Sequence, residues 1–349
     1  AEESLRTAIV PGRHADTEVI RLPVYSFFFR ELLGIDTTLT TEGPVDTVAS
    51  EQLACWREGF RLDENLTRID EELIPAHSFS LDAPSGPARE NRIRELLGQL
   101  RDEVFRYFPP EQTPFDTVWE EEKVFQSRAV KKVNFNSFED LRVRGVYSVP
   151  VVMRPKTRLP AVLVIDNRRG IPVWGNEQPL EGYRWGDRAV LIIETLDLGS
   201  RALEDNLRSF RDDDPRHHMK RQAMVSGTTI ESMQLYEILR SVEFLKSLPE
   251  IDPDRITIVG KGESGINGLY AALLDKTVEK AILCSPPASH RQGPCYQNIL
   301  RFTDIPEVVQ LMSDRVGIYG EIPLVLRLLL ARNGLDKTMT AQSLDDFFQ

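Results

Sequence analysis

Cysteine is scarce: three residues in 349, Cys55, Cys284 and Cys295, odd in number and widely spaced. That spacing builds neither a disulfide framework nor a CxxC metal knuckle, and it leaves the redox compartment open. Basic charge is also short, with 43 Lys and Arg against 54 Asp and Glu, a net charge of −11 and no long basic stripe. A phosphate backbone would be repelled, which argues against nucleic acid as a partner. Long apolar runs are missing too. Val24–Phe29 and Ile322–Ala331 fall short of a bilayer's thickness and Arg327 interrupts the second, so no membrane span is expected. Histidine occurs five times without a spaced ligand pattern. Asp212-Asp-Asp-Pro-Arg-His217-His218 gathers metal-binding residue types, but adjacent imidazoles rarely converge on one ion, so the run reads as an exposed charged loop. No metal and no cofactor is expected.

What is present is an ordinary globular composition, 41% hydrophobic and 28% charged, long enough for one large domain with appendages or two unequal ones. The chain opens at Ala1 without a methionine. Either a targeting segment was removed, which would place the protein in a secreted or periplasmic compartment, or the chain was trimmed, and nothing N-terminal chooses between the two.

Three regions differ in texture. Residues 1–35 read as a short strand (Leu5–Val10), a Pro-Gly turn and a helix from about Thr17 to Leu33 closed by Gly34. Residues 36–115 are polar and read as a helical connector, with helices around Ser50–Gly59 and Ala88–Tyr107, the second stopped by Pro109-Pro110. From residue 116 strands dominate: Lys131–Phe138, Leu141–Val149, Ala161–Ile165, Ala189–Thr195, Arg255–Val259, Lys280–Cys284 and Arg315–Tyr319. Several are continuous apolar runs separated by helical patterns at Ile230–Leu248 and Gly265–Leu274, which predicts a mostly parallel sheet with crossover helices.

The segment Arg255-Ile-Thr-Ile-Val-Gly260-Lys-Gly262-Glu-Ser264-Gly265 is a buried strand, a glycine-rich turn and the start of a small-residue helix. Two machines use that shape. Gly260, Gly262 and Gly265 satisfy the dinucleotide pattern G-x-G-x-x-G, but the next strand ends Cys284-Ser285-Pro286-Pro287, without the acid that would bind ribose hydroxyls. The other is the nucleophile elbow, a sharp strand-to-helix turn that lifts one side chain over a sheet.

The stretch Gln234-Leu-Tyr-Glu-Ile-Leu-Arg-Ser-Val-Glu-Phe-Leu through Asp252-Pro-Asp-Arg-Ile-Thr-Ile-Val-Gly260, with Arg301-Phe-Thr-Asp-Ile-Pro306, resembles the acetyl xylan esterase-like branch of the α/β-hydrolases over roughly residues 116–349. The resemblance implies a three-layer αβα sandwich and, in intact members, hydrolysis of carbohydrate esters by a Ser-His-acid triad. It makes a carbohydrate or ester the expected ligand. Laid on this chain, G-x-S-x-G puts Gly262 where the nucleophilic serine belongs, which predicts a catalytically impaired or non-catalytic domain. The alternatives are an active esterase with Ser264 as displaced nucleophile, and dinucleotide binding through the glycines. Glu321, after the seventh strand, stands near the position of the family's acid.

No histidine follows Glu321, and the chain reaches Gln349 with no readable eighth strand. Residues 5–33, with Pro11-Gly12-Arg13-His14 and Tyr25-Ser-Phe-Phe-Phe, resemble the closing strand, histidine loop and final helix of such hydrolases. Either they are the tail of an adjacent hydrolase domain in a tandem protein, or a rearranged order lets His14 complete this domain. Trp174, Tyr183 and Trp185 follow the third strand, where aromatic rings could stack on sugar faces or pack a long loop.

Overall fold

The computed structural model describes residues 5–12, 15–44, 46–54, 69–73, 75–120, 122–125, 127–152, 158–165, 185–198, 201, 215–335 and 339–348. The chain divides into two compact units, Ala1–Leu66 and Thr67–Gln349.

In the first unit, α1 (Glu18–Leu33) ends at Gly34, whose left-handed backbone (φ 68°) turns its N–H onto the Arg30 carbonyl. The following chain folds back on the helix. Arg21 donates to both carboxylate oxygens of Glu42 at 2.6 Å, and Leu39 N–H donates to Ser26 Oγ. Residues 5–10 form no strand, contrary to the sequence reading, and Leu5 and Ile9 are exposed. Their alternation is too short to hold a strand without a paired edge. Within the expected helix at Ser50–Gly59, α2 (Ser50–Leu53) is a single turn, and residues 55–59 lie outside the described residues.

The second unit begins with α3 (Ile69–Leu73) and α4 (Gly86–Gln99), which runs on into a π turn at Leu100–Val104. Ile93, Leu96, Leu97, Leu100 and Val104 recur every three or four residues and pack into the core. Arg92 fastens the helix further on by donating to Glu307 at 2.9 Å and to the Phe302 carbonyl at 2.6 Å. The region read as a connector is therefore divided: its part beyond Leu66 belongs to the sheet unit and is held there by buried leucines.

Among the described residues the sheet has ten strands: β1 (Val118–Trp119), β2 (Lys123–Phe125), β3 (Arg128–Phe138), β4 (Leu141–Pro150), β5 (Leu159–Ile165), β6 (Ala189–Glu194), β7 (Ile251–Lys261), β8 (Val278–Cys284), β9 (Val316–Tyr319) and β10 (Thr340–Ala341). Their order is β1-β3-β4-β6-β5-β7-β8-β9-β10, with β2 paired to β3. From β6 through β10 every neighbouring pair is parallel. The short β10 pairs Thr340 with Ile318 and Ala341 with Tyr319, so a rudimentary last strand exists where the sequence gave no readable one.

Period-two alternation sends successive side chains of the central strands to opposite faces. Leu163, Leu191, Ile258 and Leu283 join the larger core beneath α6 (Ile230–Ser247), α7 (Glu263–Leu274), α8 (Ile305–Leu311) and α9 (Leu324–Arg332), while α5 (Pro215–Val225) precedes α6. Val162, Val190, Ile192, Val259 and Ile282 face the other side, covered by Trp185, Leu344, Phe347 and Phe348.

His290 sits inside this unit with its proton placed by its neighbours. Nδ1 lies 2.8 Å from the Pro294 carbonyl and so donates, leaving Nε2 to accept from Tyr270 Oη at 2.8 Å. Burial holds the imidazole below its ordinary pKa, against the opposing pull of the Pro294 carbonyl and Asp304. The unfolded chain therefore takes up this proton first. The His290 contribution to stability is complete above about pH 6.5 and falls away below it, by at most about 1.4 kcal/mol per pH unit. Urea unfolding between pH 7 and pH 5 should show that slope in the native protein and lose it in His290→Gln; an equal slope in both would contradict the buried neutral histidine.

Candidate functional site

The loops that follow the carboxyl ends of β6, β7, β8 and β9 enclose a cavity of about 590 Å3. Parallel strands converge their loops in this way, which is why ligands of α/β folds bind there. Asp197 and Leu198 come from the loop after β6, and Lys261, Gly262, Glu263 and Ser264 from the turn between β7 and α7. Ser285, Pro286 and Pro287 follow β8, Glu321 follows β9, and Glu231 and Gln234 reach in from α6.

Gly262 is the apex of the β7–α7 turn, with φ 58° and ψ −128°. Its two neighbouring glycines make that turn sterically feasible. A Cβ on Gly260 would lie 2.6 Å from the Ser264 carbonyl oxygen, and one on Gly265 would lie 2.7 Å from the Gly260 carbonyl oxygen, so strand end and helix start touch through backbone alone. At Gly262 the opposite holds: a Cβ would meet nothing within 4 Å and would open into space. This is the geometry of a nucleophile elbow, in which a strained apex residue presents its side chain beside the N–H groups of the helix start.

Ser264 stands in the first turn of α7, 3% exposed, and lines the cavity. Among the described residues no hydrogen bond reaches its hydroxyl. Glu321 also lines the cavity, and its N–H donates to Ser285 Oγ at 3.0 Å. The β7–α7 turn holds Gly260, Gly262, Gly265 and Ser264, and Glu321, from the loop after β9, lines the same cavity as Gly262 and Ser264. His14, Trp174 and Tyr183 lie outside the described residues. Trp185 is 3% exposed, packed with Val162, Val190 and Val259 and 5.9 Å from the Phe348 ring, so its indole fills the core and offers no face to a sugar. Of the charged run around His217, residues 212–214 are outside the described residues, and among the described ones no group of His, Cys, Asp and Glu could hold a metal ion.

Sequence reasoning missed the charged lining. Lys220 on α5 and Glu231 on α6 pair at 2.9 Å, and the carboxylate of Glu231 holds the ammonium protonated. Glu263 is the residue after the apex. Desolvation, and then the neighbouring Glu231 charge, push its carboxyl pKa up, with Lys220 opposing. The Glu263 carboxylate occupies the place a Cβ on Gly293 would need, at 2.6 and 2.9 Å from its oxygens. Below the surface Tyr296 Oη donates to Asn267 Oδ1, Asn267 Nδ2 to Gln234 Oε1 at 3.2 Å, and Gln234 Nε2 to the Leu196 carbonyl at 2.7 Å. That chain ties α7 to α6 and to the loop after β6.

No family model matches the chain. A stretch of 134 residues is 24% identical to "Putative hydrolase YtaP" of Bacillus subtilis, covering 38% of this chain. The chain spans 45% of the length of that curated relative. Among solved structures it resembles a "putative acetyl xylan esterase" of Bacteroides fragilis, with a TM-score of 0.58 and 13% identity over 84% of this chain and 85% of that one. It also resembles methylesterase BT1017, with a TM-score of 0.51 and 14% identity over 73% of this chain and 59% of that one. The likeness is one of fold: the chain has the α/β-hydrolase fold, a three-layer sandwich around a mostly parallel sheet.

The two kinds of glycine should respond differently to substitution. Gly262→Ser meets open space and costs only backbone strain, about 1–3 kcal/mol. Gly260→Ala drives a methyl group into backbone and should cost more. Urea midpoints should fall in that order; a Gly260→Ala variant as stable as the native protein would contradict the close contact.

Proposed function

We propose that this domain is an acetyl xylan esterase-like binding domain: its pocket takes a carbohydrate ester and its elbow, having glycine at the nucleophile position, forms no acyl-enzyme. The observation that carries the reading is Gly262 at the turn apex, with its Cβ direction open to the cavity. Acyl transfer by a Ser-His-acid site needs an Oγ at that point and an imidazole within hydrogen-bond reach to take its proton. Glycine supplies no Oγ, and the described residues around the cavity include no histidine. Ester binding without turnover needs only the remaining parts: a cavity of about 590 Å3 lined by carboxylates, ammonium groups, hydroxyls and two amides, beside the start of helix α7. The names of the neighbours, an acetyl xylan esterase and a methylesterase, support an ester as the ligand class.

A second reading has one observation in its favour: Ser264 lines the cavity, and among the described residues no hydrogen bond reaches its hydroxyl. In that reading the chain is an active carboxylic ester hydrolase with Ser264 as nucleophile. Against it, Ser264 lies within helix α7 and not at the apex, and no described base touches it. Dinucleotide binding has less support. Gly260 and Gly265 are taken up by the strand–helix contact, and Ser285-Pro286-Pro287 bring no carboxylate to the end of β8.

Incubation with a serine-directed fluorophosphonate and with p-nitrophenyl acetate separates the readings. The expected result is no adduct in the intact mass and no p-nitrophenol release above that of a heat-treated sample. A stoichiometric adduct mapped by peptide sequencing to Ser264 would overturn the non-catalytic reading and establish the displaced nucleophile.

A further inference from the structure

Helix α6 borders a second cavity besides the one at the elbow. At 3.6 residues per turn, Ile230, Glu231 and Gln234 fall on one side of the helix and Met233, Tyr236 and Glu237 on the other. The first set lines the elbow cavity, the second a smaller one of about 190 Å3, and no residue lines both. Leu196 marks the seam between them: its N–H donates to Glu237 and its carbonyl accepts from Gln234 Nε2, both at 2.7 Å. Four rings surround the smaller cavity, Tyr107, Phe108, Phe138 and Tyr236, with Phe108 5.3 Å from Tyr236. Backbone sets two of them in place. The π turn at Leu100–Val104 closes with Phe105 N–H on the Leu100 carbonyl at 2.7 Å, and Phe108 stacks on Phe105 at 5.0 Å. Tyr107 packs on Gly227, where a Cβ would lie 2.7 Å from its Cζ. Polar groups of the lining are committed elsewhere. Glu237 accepts from Arg201 at 2.7 and 2.8 Å as well as from Leu196, and Ser137 Oγ donates to the Leu141 carbonyl at 3.0 Å. Among the described residues no lysine, arginine or histidine lines this cavity.

We propose that this cavity is a separate ligand site, for a small neutral molecule built on one aromatic ring. Size sets the first limit. An apolar cavity of about 150 Å3 admits benzene, so one of about 190 Å3 admits a ring with a short substituent. The four rings of the lining set the second, because a bound ring gains edge and offset contacts with them beyond the area it buries. Charge sets the third. An anion would meet the Glu237 carboxylate with no cation in the lining to offset it, and an ammonium would find the Glu237 oxygens already filled by three donors. A neutral ring leaves no charge unpaired. The site does not depend on what the elbow cavity holds.

Of the six methionines in the chain, Met233 lines this cavity, so its methyl group reports on a bound ring. The test is an NMR titration of the protein, labelled with carbon-13 at the methionine methyls, with benzyl alcohol; Met233→Leu assigns the resonance. The Met233 methyl should shift along a single-site curve with a dissociation constant of about 1 mM or tighter, while the other methionine methyls stay in place. Cyclohexylmethanol, of like size without the aromatic ring, should bind about fivefold more weakly. Benzoate should bind about tenfold more weakly or worse. Leu141→Trp narrows the cavity and should abolish the Met233 shift, and a shift retained in that folded variant would overturn the site. Where the variant does not fold, the native titration decides alone: no saturable Met233 shift up to the solubility limit of benzyl alcohol, or equal shifts at all methionines, overturns the proposal. Equal affinity for cyclohexylmethanol overturns the aromatic assignment, and equal affinity for benzoate overturns the neutral one.

Discussion

The end of β7 and the start of α7 touch through backbone, and that contact governs the geometry of everything above the sheet. Gly260 and Gly265 leave no room for a Cβ between them, with 2.6–2.7 Å to the facing carbonyl and amide atoms. Because the helix begins this close to the strand, the chain must reverse within the single residue Gly262, whose backbone takes a conformation that L side chains rarely adopt. The same closeness sets Glu263 and Ser264, at the start of α7, on the wall of the cavity. An ordinary side chain at Gly260 or Gly265 would push the helix away, and the cavity would lose the wall that α7 provides.

The rest of the cavity is fixed by buried polar contacts. Glu237, on α6, is almost fully buried. It accepts from Arg201 at 2.7 Å and from the Leu196 N–H at 2.7 Å, which locks the loop that carries Asp197 and Leu198. Burial raises the Glu237 carboxyl pKa while Arg201 opposes, so the pair holds its charges by mutual contact. Breaking one side of such a pair typically costs about 3–5 kcal/mol. On the far wall Asp304 accepts from His290 N–H at 2.9 Å and from Ser289 Oγ at 2.6 Å while capping α8, which holds the loop that follows Pro287. The lining is therefore rigid where it meets α6, α7 and α8, which suits recognition of a ligand of defined shape.

Legibility in the sequence followed burial. The parallel strands could be read because both of their faces are covered, so β5, β6 and the end of β7 are continuous apolar runs that nothing but a buried strand explains. The turn could be read because glycine is the only residue that fits where backbones touch. Leu5–Val10 was misread because six residues of mixed polarity satisfy a strand pattern without any pairing partner. Helix α4 was read as part of a connector, although its Ile93, Leu96 and Leu97, with Leu100 in the π turn that follows, carry helical spacing that signals a buried face. Trp185 was offered as a sugar platform on its position near a strand end; its burial depends on Leu344 and Phe348, some 160 residues away, which no local pattern reveals. Lys220, Glu231 and Glu263 were invisible for a different reason. A charged residue on a helix looks solvated until the fold brings another element against it.

The central claim is that the pocket at Gly262 binds a saccharide ester and does not cleave it. Proton NMR of acetylated xylobiose with a stoichiometric amount of the protein reads both halves in one sample. Saturation transfer from protein to sugar protons, with free acetate no higher after a day than in buffer, is the expected result. Acetate released in excess of the buffer control would contradict it.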